Sequence, residues 1–298
     1  MQTYAIGVDI GGTNFRMGAV DAKGKTLHFK QLRSQTLKVE NAATVLSDYL
    51  NDFIKALGIE AQIKGVAIGV PALVSRDKSR ILSAPNLPSL EHPDFLPILE
   101  NRLGVPVLLD RDVNYLLLDD IEALSLQNQQ SVLGFYVGTG LGNALYLDGK
   151  LYRGANGAAG ELGHIPLYGV QEACTCENAG CAETRTSGRY LAELQKQYFP
   201  KEDITHLFTE LGEHPILQKY VRDLALPIAT EINILDPQAV ILSGGVLSMP
   251  DFPYAMLKTE ILAHLRKPYP KDSVALFKID HEKDSAVRGA GLAVHRAV

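Results

Sequence analysis

Cys174, Cys176 and Cys181 are the only three cysteines in a chain of 298 residues, and all lie in the stretch HIPLYGVQEACTCENAGCAETR, which begins at His164. Three thiolates and one imidazole form a complete tetrahedral donor set of the kind that holds structural Zn²⁺. Such a set leaves no position for water, so the metal it would hold is not the reactive centre. Unliganded buried cysteines are the alternative, against which the clustering speaks. A thiol redox pair is disfavoured because the Cys-x-x-Cys spacing is missing. Glu161 and Glu183 flank this knot, where carboxylates would accept hydrogen bonds from paired hydroxyls or serve as ordinary caps.

Two glycine turns suggest a second chemistry. In DIGGTN, Gly11 and Gly12 let backbone amides converge on an anion, Thr13 adds a hydroxyl, and Asp9 supplies a carboxylate for hydrated Mg²⁺. Gly138, Thr139 and Gly140 repeat that chemistry, so the pair reads as two cradles for successive phosphates of one nucleotide. A third glycine pair, Gly244 and Gly245, follows the apolar run AVIL and would let a flat base approach the backbone. Either turn alone is also ordinary hairpin chemistry. The segment LLDRDVNYLL places Asp110, Arg111 and Asp112 at the end of an apolar strand, where a carboxylate could align a hydroxyl nucleophile and take its proton. Local sequence does not separate Asp110 from Asp112.

The elements that must position these groups follow from periodicity. Tyr4 to Val8, Phe15 to Val20 and Leu27 to Lys30 read as strands of an antiparallel meander, with a turn at residues 21–25. Val45, Leu46, Tyr49, Leu50, Phe53, Ile54 and Leu57 share one helical face that Gly58 stops. Lys64 to Val70 and Val105 to Leu109 read as strands, Phe95 to Leu103 as a helix. The opening then recurs: a strand at Ser131 to Val137, a glycine turn, a strand at Ala144 to Leu147 and the turn DGK parallel the N-terminal unit. Helices are expected at Glu183 to Gln197, at Ile216 to Leu235 with a kink at Pro227, and at Ser285 to Ala297. Ala239 to Ser243 reads as a strand.

A chain this long exceeds what one core usually serves, so two α/β domains are expected with a site between them. Residues 1–112 with 285–298 would make the smaller, residues 113–284 the larger. The chain is 46% hydrophobic and 21% charged with net charge −5, which offers no basic field for nucleic acid or anionic lipid. There is no basic leader and no run of about 18 apolar residues. We therefore expect a cytoplasmic protein without nucleic-acid or membrane partners, and in that compartment clustered cysteines point to metal.

Taken together, VDIGGTNFRMGAV, GTGLG, LYRGANGAAGELGH, CTCENAGCAET and LDPQAVILSGGV resemble the ROK family of sugar kinases and sugar-responsive repressors, across essentially the whole chain. The resemblance implies a duplicated actin-like ATPase (ribonuclease H-like) fold, ATP with Mg²⁺, a structural Zn²⁺ on His164, Cys174, Cys176 and Cys181, and a homodimer. It makes Asp112 the catalytic base and assigns Asn86 of APNLP, Glu161, His164 and Glu183 to the sugar. Most family members carry Asn where Arg111 stands, they often carry Gly where Glu177 stands, and commonly further glycines at Asn143 and Ala144. Arg111 would tune the base or contact the sugar. GVPALVSRDKSRILSAPNLP, RDVN and GELGHIPL are most similar to the branch that phosphorylates D-allose, which implies transfer of the γ-phosphoryl group to the primary 6-hydroxyl of a hexose; a glucokinase or N-acetylmannosamine kinase is the rival within the family. A non-catalytic sugar sensor is the rival outside it. We read the position of the first glycine turn, at Gly11, against the N-terminal DNA-binding domain of the repressor branch.

Overall fold

The computed structural model describes residues 2–298. β1 (Tyr4–Ile10) is buried from Ala5 onward on both faces, as a strand covered on both sides must be. β2 (Asn14–Asp21) and β3 (Thr26–Arg33) continue it as an antiparallel meander. The turn between them is held by Asp21, whose carboxylate accepts from the amides of Lys23 and Lys25. α1 (Ala42–Leu57) buries Leu46, Leu50, Phe53 and Ile54 and ends at Gly58, whose φ of 64° suits a residue without a Cβ. β4 (Ile63–Val70) runs parallel to β1. A short hairpin of β5 (Leu73–Val74) and β6 (Ile81–Ser83) follows, then α2 (Phe95–Leu103), β7 (Val107–Arg111), parallel to β4, and α3 (Asp112–Ala123).

The sequence of events then repeats. β8 (Ser131–Val137), β9 (Leu141–Leu147) and β10 (Lys150–Tyr152) form a second antiparallel meander. Four helices follow: α4 (Glu183–Thr186), α5 (Gly188–Tyr198), α6 (Leu207–Leu211) and α7 (Pro215–Leu235). β11 (Ala239–Ser243), α8 (Tyr254–His264) and β12 (Ala275–Lys278) complete the second sheet, and α9 (Ser285–Ala297) ends the chain. The two five-stranded sheets have orders β3-β2-β1-β4-β7 and β10-β9-β8-β11-β12. In each, a meander is extended by two parallel strands, so one topology occurs twice, as the repeated glycine turns led us to expect. This is the duplicated actin-like ATPase fold.

One compact unit comprises the chain up to Gln127, Arg153–Ala159 and Glu282–Val298; the other comprises Asn128–Tyr152 and Gly160–His281. This division differs from the one expected at residue 112 because α3 packs on α9. A Cβ at Gly289 of α9 would lie 1.8 Å from the carbonyl oxygen of Tyr115 in α3, and Arg288 chelates Asp119 at 2.9 Å. Two further differences matter for the site. β7 runs two residues later than expected, so Asp110 and Arg111 are strand residues; Pro106, which has no N–H, precedes its start. The helix expected at Glu183 to Gln197 is two helices, broken at the extended residue Ser187, whose hydroxyl accepts the Tyr190 amide and caps α5. No helix among the described residues is long and apolar enough to cross a membrane.

Candidate active site and metal centre

In the first unit the turn after β1 is fixed from behind. The amide of Gly11 donates to the Asn14 carbonyl at 2.9 Å, the Ser34 hydroxyl to the Gly11 carbonyl at 2.6 Å, and the Ser34 amide to the Thr13 carbonyl at 2.9 Å. Gly12 and Thr13 remain exposed. Asp9 is buried and accepts from Arg16 Nη1 at 2.7 Å; burial pushes its carboxyl above the usual range, and Arg16 opposes that push. A Cβ built at Gly12 would lie 4.0 Å from the Asn86 side chain, so the Gly11–Gly12 turn and the APNLP loop meet. That loop is held by Glu91, which sequence reading passed over: its carboxylate accepts the Ala84 amide at 2.6 Å.

The two aspartates of LLDRDVNYLL are separated by their partners. Asp110 is 2% exposed and accepts from Asn114 Nδ2 at 2.6 Å, from the Arg111 amide at 2.9 Å and from Arg153 Nε at 2.8 Å. It is consumed by structure. Asp112 opens α3, half-buried, and Gly69 of β4 admits it closely: a Cβ there would sit 3.2 Å from the Asp112 Cα. Arg111 is buried and gives Nη1 to the Ala159 carbonyl at 2.6 Å. Lys78, at the tip of the β5–β6 hairpin, is held below the usual ammonium range by burial and by Arg153. Arg153 and Lys78 carried no sequence signal, since their meaning lies in a carboxylate distant along the chain; Asn114 lies four residues from Asp110 within the RDVN stretch, but its role as a partner of that carboxylate was not read there.

In the second unit the loop Gly138–Gly140 rests on the start of α5. The amides of Gly188 and Arg189 donate to the carbonyls of Gly138 (2.8 Å) and Thr139 (3.1 Å). Thr139 is exposed, and space around Gly138 is open. Gly244 has a φ of 112°, and a Cβ there would meet the Val137 backbone at 2.5 Å, so this glycine is demanded by β8. Gly245 beside it is exposed and open.

One donor atom from each of His164, Cys174, Cys176 and Cys181 fits within a 4.8 Å group. His164 Nδ1 is 3.6 Å from Cys174 Sγ, and Cys176 Sγ is 3.5 Å from Cys181 Sγ. Ligands about 2.3 Å from a tetrahedral Zn²⁺ lie about 3.8 Å apart, so the set fits that ion. Its chemistry agrees: burial and the neighbouring thiols push Cys181 up to about 12, a cost that a shared cation removes. Glu177 adopts φ 72°, which accounts for glycine being the more comfortable residue at that position. The other ring nitrogen of His164, Nε2, faces Glu161 Oε2 across 3.6 Å, longer than a direct hydrogen bond. Glu183 Oε1 accepts from Cys174 at 3.3 Å, and its Oε2 would be 2.9 Å from a Cβ at Gly140. Glu183 therefore touches both the thiol knot and the glycine loop.

The sequence profile of the ROK family matches residues 5–297. A protein named N-acetyl-D-glucosamine kinase, from Photobacterium profundum, is 30% identical over 303 residues, covering 95% of this chain and 97% of its own. A ROK hexokinase from Thermus thermophilus superposes with a TM-score of 0.82 at 25% identity, covering 100% of this chain and 99% of its own. A ROK family glucokinase from Streptomyces griseus, solved in complex with glucose and AMPPNP, gives a TM-score of 0.77 at 25% identity over 97% and 98% of the two chains.

Proposed function

The chain belongs to the ROK family, and from that premise we propose that it is an ATP-dependent hexose kinase that phosphorylates the primary 6-hydroxyl with Asp112 as general base. The observation that supports Asp112 over Asp110 as the base is the engagement of Asp110 by Arg153 and Asn114. Asp112 aligns the sugar hydroxyl and accepts its proton as the oxygen bonds to the γ-phosphorus. The bond from that phosphorus to the β-phosphate oxygen breaks, ADP leaves, and Asp112 returns the proton to solvent.

Gly11, Gly12, Thr13, Gly138, Thr139 and Gly140 hold the phosphates, and Gly244 and Gly245 lie on the adenosine side. Mg²⁺ would neutralise the phosphate charge, with Asp9 as the residue that would hold it. Zn²⁺ on His164, Cys174, Cys176 and Cys181 would stiffen the segment that carries the sugar ligands Glu161, His164 and Glu183, while Asn86 supplies a donor and an acceptor to a hydroxyl pair. Resemblance of the sugar loop puts D-allose first as substrate, and the names of the relatives add N-acetyl-D-glucosamine and glucose. We further propose a cytoplasmic homodimer.

The test is ADP release coupled to a reporter over D-allose, D-glucose, D-mannose, N-acetyl-D-glucosamine and N-acetyl-D-mannosamine. The reading expects one of these to be phosphorylated, D-allose with the highest kcat/KM. Preference for another reassigns the sugar and keeps the reaction. A protein that binds a hexose and turns over none is a sensor.

A further inference from the structure

Arg111 is a buried cation, 8% exposed, at the last position of β7. A guanidinium withdrawn from water needs acceptors, and its Nη1 donates to the main-chain carbonyl of Ala159 at 2.6 Å. Ala159 ends an excursion of the chain. Arg153–Ala159 packs with the first unit, although Asn128–Tyr152 before it and Gly160 after it belong to the second.

The excursion is pinned at three points. Arg153 Nε donates to Asp110 Oδ2 at 2.8 Å. Gly157, at φ 84°, lies so close to β5 that a Cβ would fall 1.9 Å from the Val74 carbonyl oxygen. Arg111 holds the last carbonyl. The Ala159 amide also donates to the Arg153 carbonyl at 3.1 Å, closing the loop on itself. The residues that follow are Gly160, at φ 82°, and Glu161.

We infer that Arg111 is a positioning residue: through the Ala159 carbonyl it fixes the direction in which the chain enters Gly160 and Glu161, and it does not read the sugar itself. The bearing on substrate rests on the kinase reading, because that reading gives Glu161 to the sugar; the tether stands without it. A direct sugar contact would change discrimination between sugars. A tether changes the affinity for all of them together and loosens the loop.

Hydrogen exchange and sugar kinetics on Arg111→Ala and Arg111→Lys separate these. In Arg111→Ala the amides of residues 154–161 are expected to exchange about 10-fold faster. KM rises by a common factor of about 10 for every sugar accepted, while KM for ATP and zinc content hold. Arg111→Lys, which keeps a donor within reach of the carbonyl, recovers most of both effects and supplies the comparison should Arg111→Ala fail to fold. Unchanged exchange over residues 154–161, or a KM that rises for one sugar and not another, overturns the proposal. If the wild-type protein phosphorylates no sugar, the kinase reading fails; exchange still decides the tether, and sugar dissociation constants replace KM.

Discussion

The amide of Gly188 donates to the carbonyl of Gly138 at 2.8 Å. Amides in the first turn of a helix have no partners within the helix, and in α5 two of them are given to the second glycine loop. The same helix follows Glu183 and the thiol segment directly in sequence. Loop, carboxylate and cysteine knot thus share one short piece of backbone.

Gly188→Ala tests that connection. A Cβ at this position would sit 2.5 Å from the Gly138 carbonyl oxygen, so the loop must move. We expect a stability loss of about 1–3 kcal/mol and a KM for ATP raised about 10-fold, with zinc content unchanged. Steady-state kinetics and a denaturation curve check it; an unaltered KM for ATP would remove Gly138–Gly140 from the nucleotide site.

The aspartates respond differently to the same substitution. Asp112→Asn is expected to lower kcat by about 10²–10⁴-fold while ATP and sugar still bind. Asp110→Asn breaks an ion pair in which Asp110 is 3% and Arg153 23% exposed at the side chain, and should cost on the order of 3 kcal/mol of stability. Kinetics paired with urea unfolding reads both. Normal turnover by Asp112→Asn would return the role of base to another group.

A buried carboxyl makes stability depend on pH. Glu231 accepts from Asn143 Nδ2 at 2.8 Å, yet burial raises it from 4.5 to about 7. Its folded-state value lies above its unfolded one, so the stabilisation is complete below about 4.5, is lost as pH rises toward 7, and is gone above that. The whole effect is at most about 3 kcal/mol. Glu231→Gln, which can present its amide oxygen to Asn143, should flatten this slope between pH 5 and 8. Parallel urea midpoints for the two proteins across that range would show that Glu231 is solvated.

What was legible in the sequence was local. Short apolar runs bounded by turn residues marked the meanders, Gly58 marked the end of α1, and the spacing of Cys174, Cys176 and Cys181 marked a donor set that the fold brings together with His164. What escaped was pairing over distance. Nothing near Asp110 indicates that Arg153 will claim it, and nothing in Arg153–Ala159 indicates that it packs with the first unit. For the same reason nothing near residue 112 indicates that α3 is held by α9 from the far end of the chain. The break at Ser187 was hidden differently: flanking residues favour helix on both sides, and only the capping geometry of the hydroxyl reveals the interruption.

The central claim is that a four-ligand zinc site holds the sugar-binding carboxylates in place. It is tested most directly by measuring metal content and sugar affinity of the wild-type protein and of a variant combining Cys174→Ser, Cys176→Ser and Cys181→Ser. We predict stoichiometric zinc in the wild type and none in the variant, with sugar affinity falling about 100-fold and ATP binding retained. A wild-type protein without zinc, whose triple variant binds sugar equally well, would contradict the account.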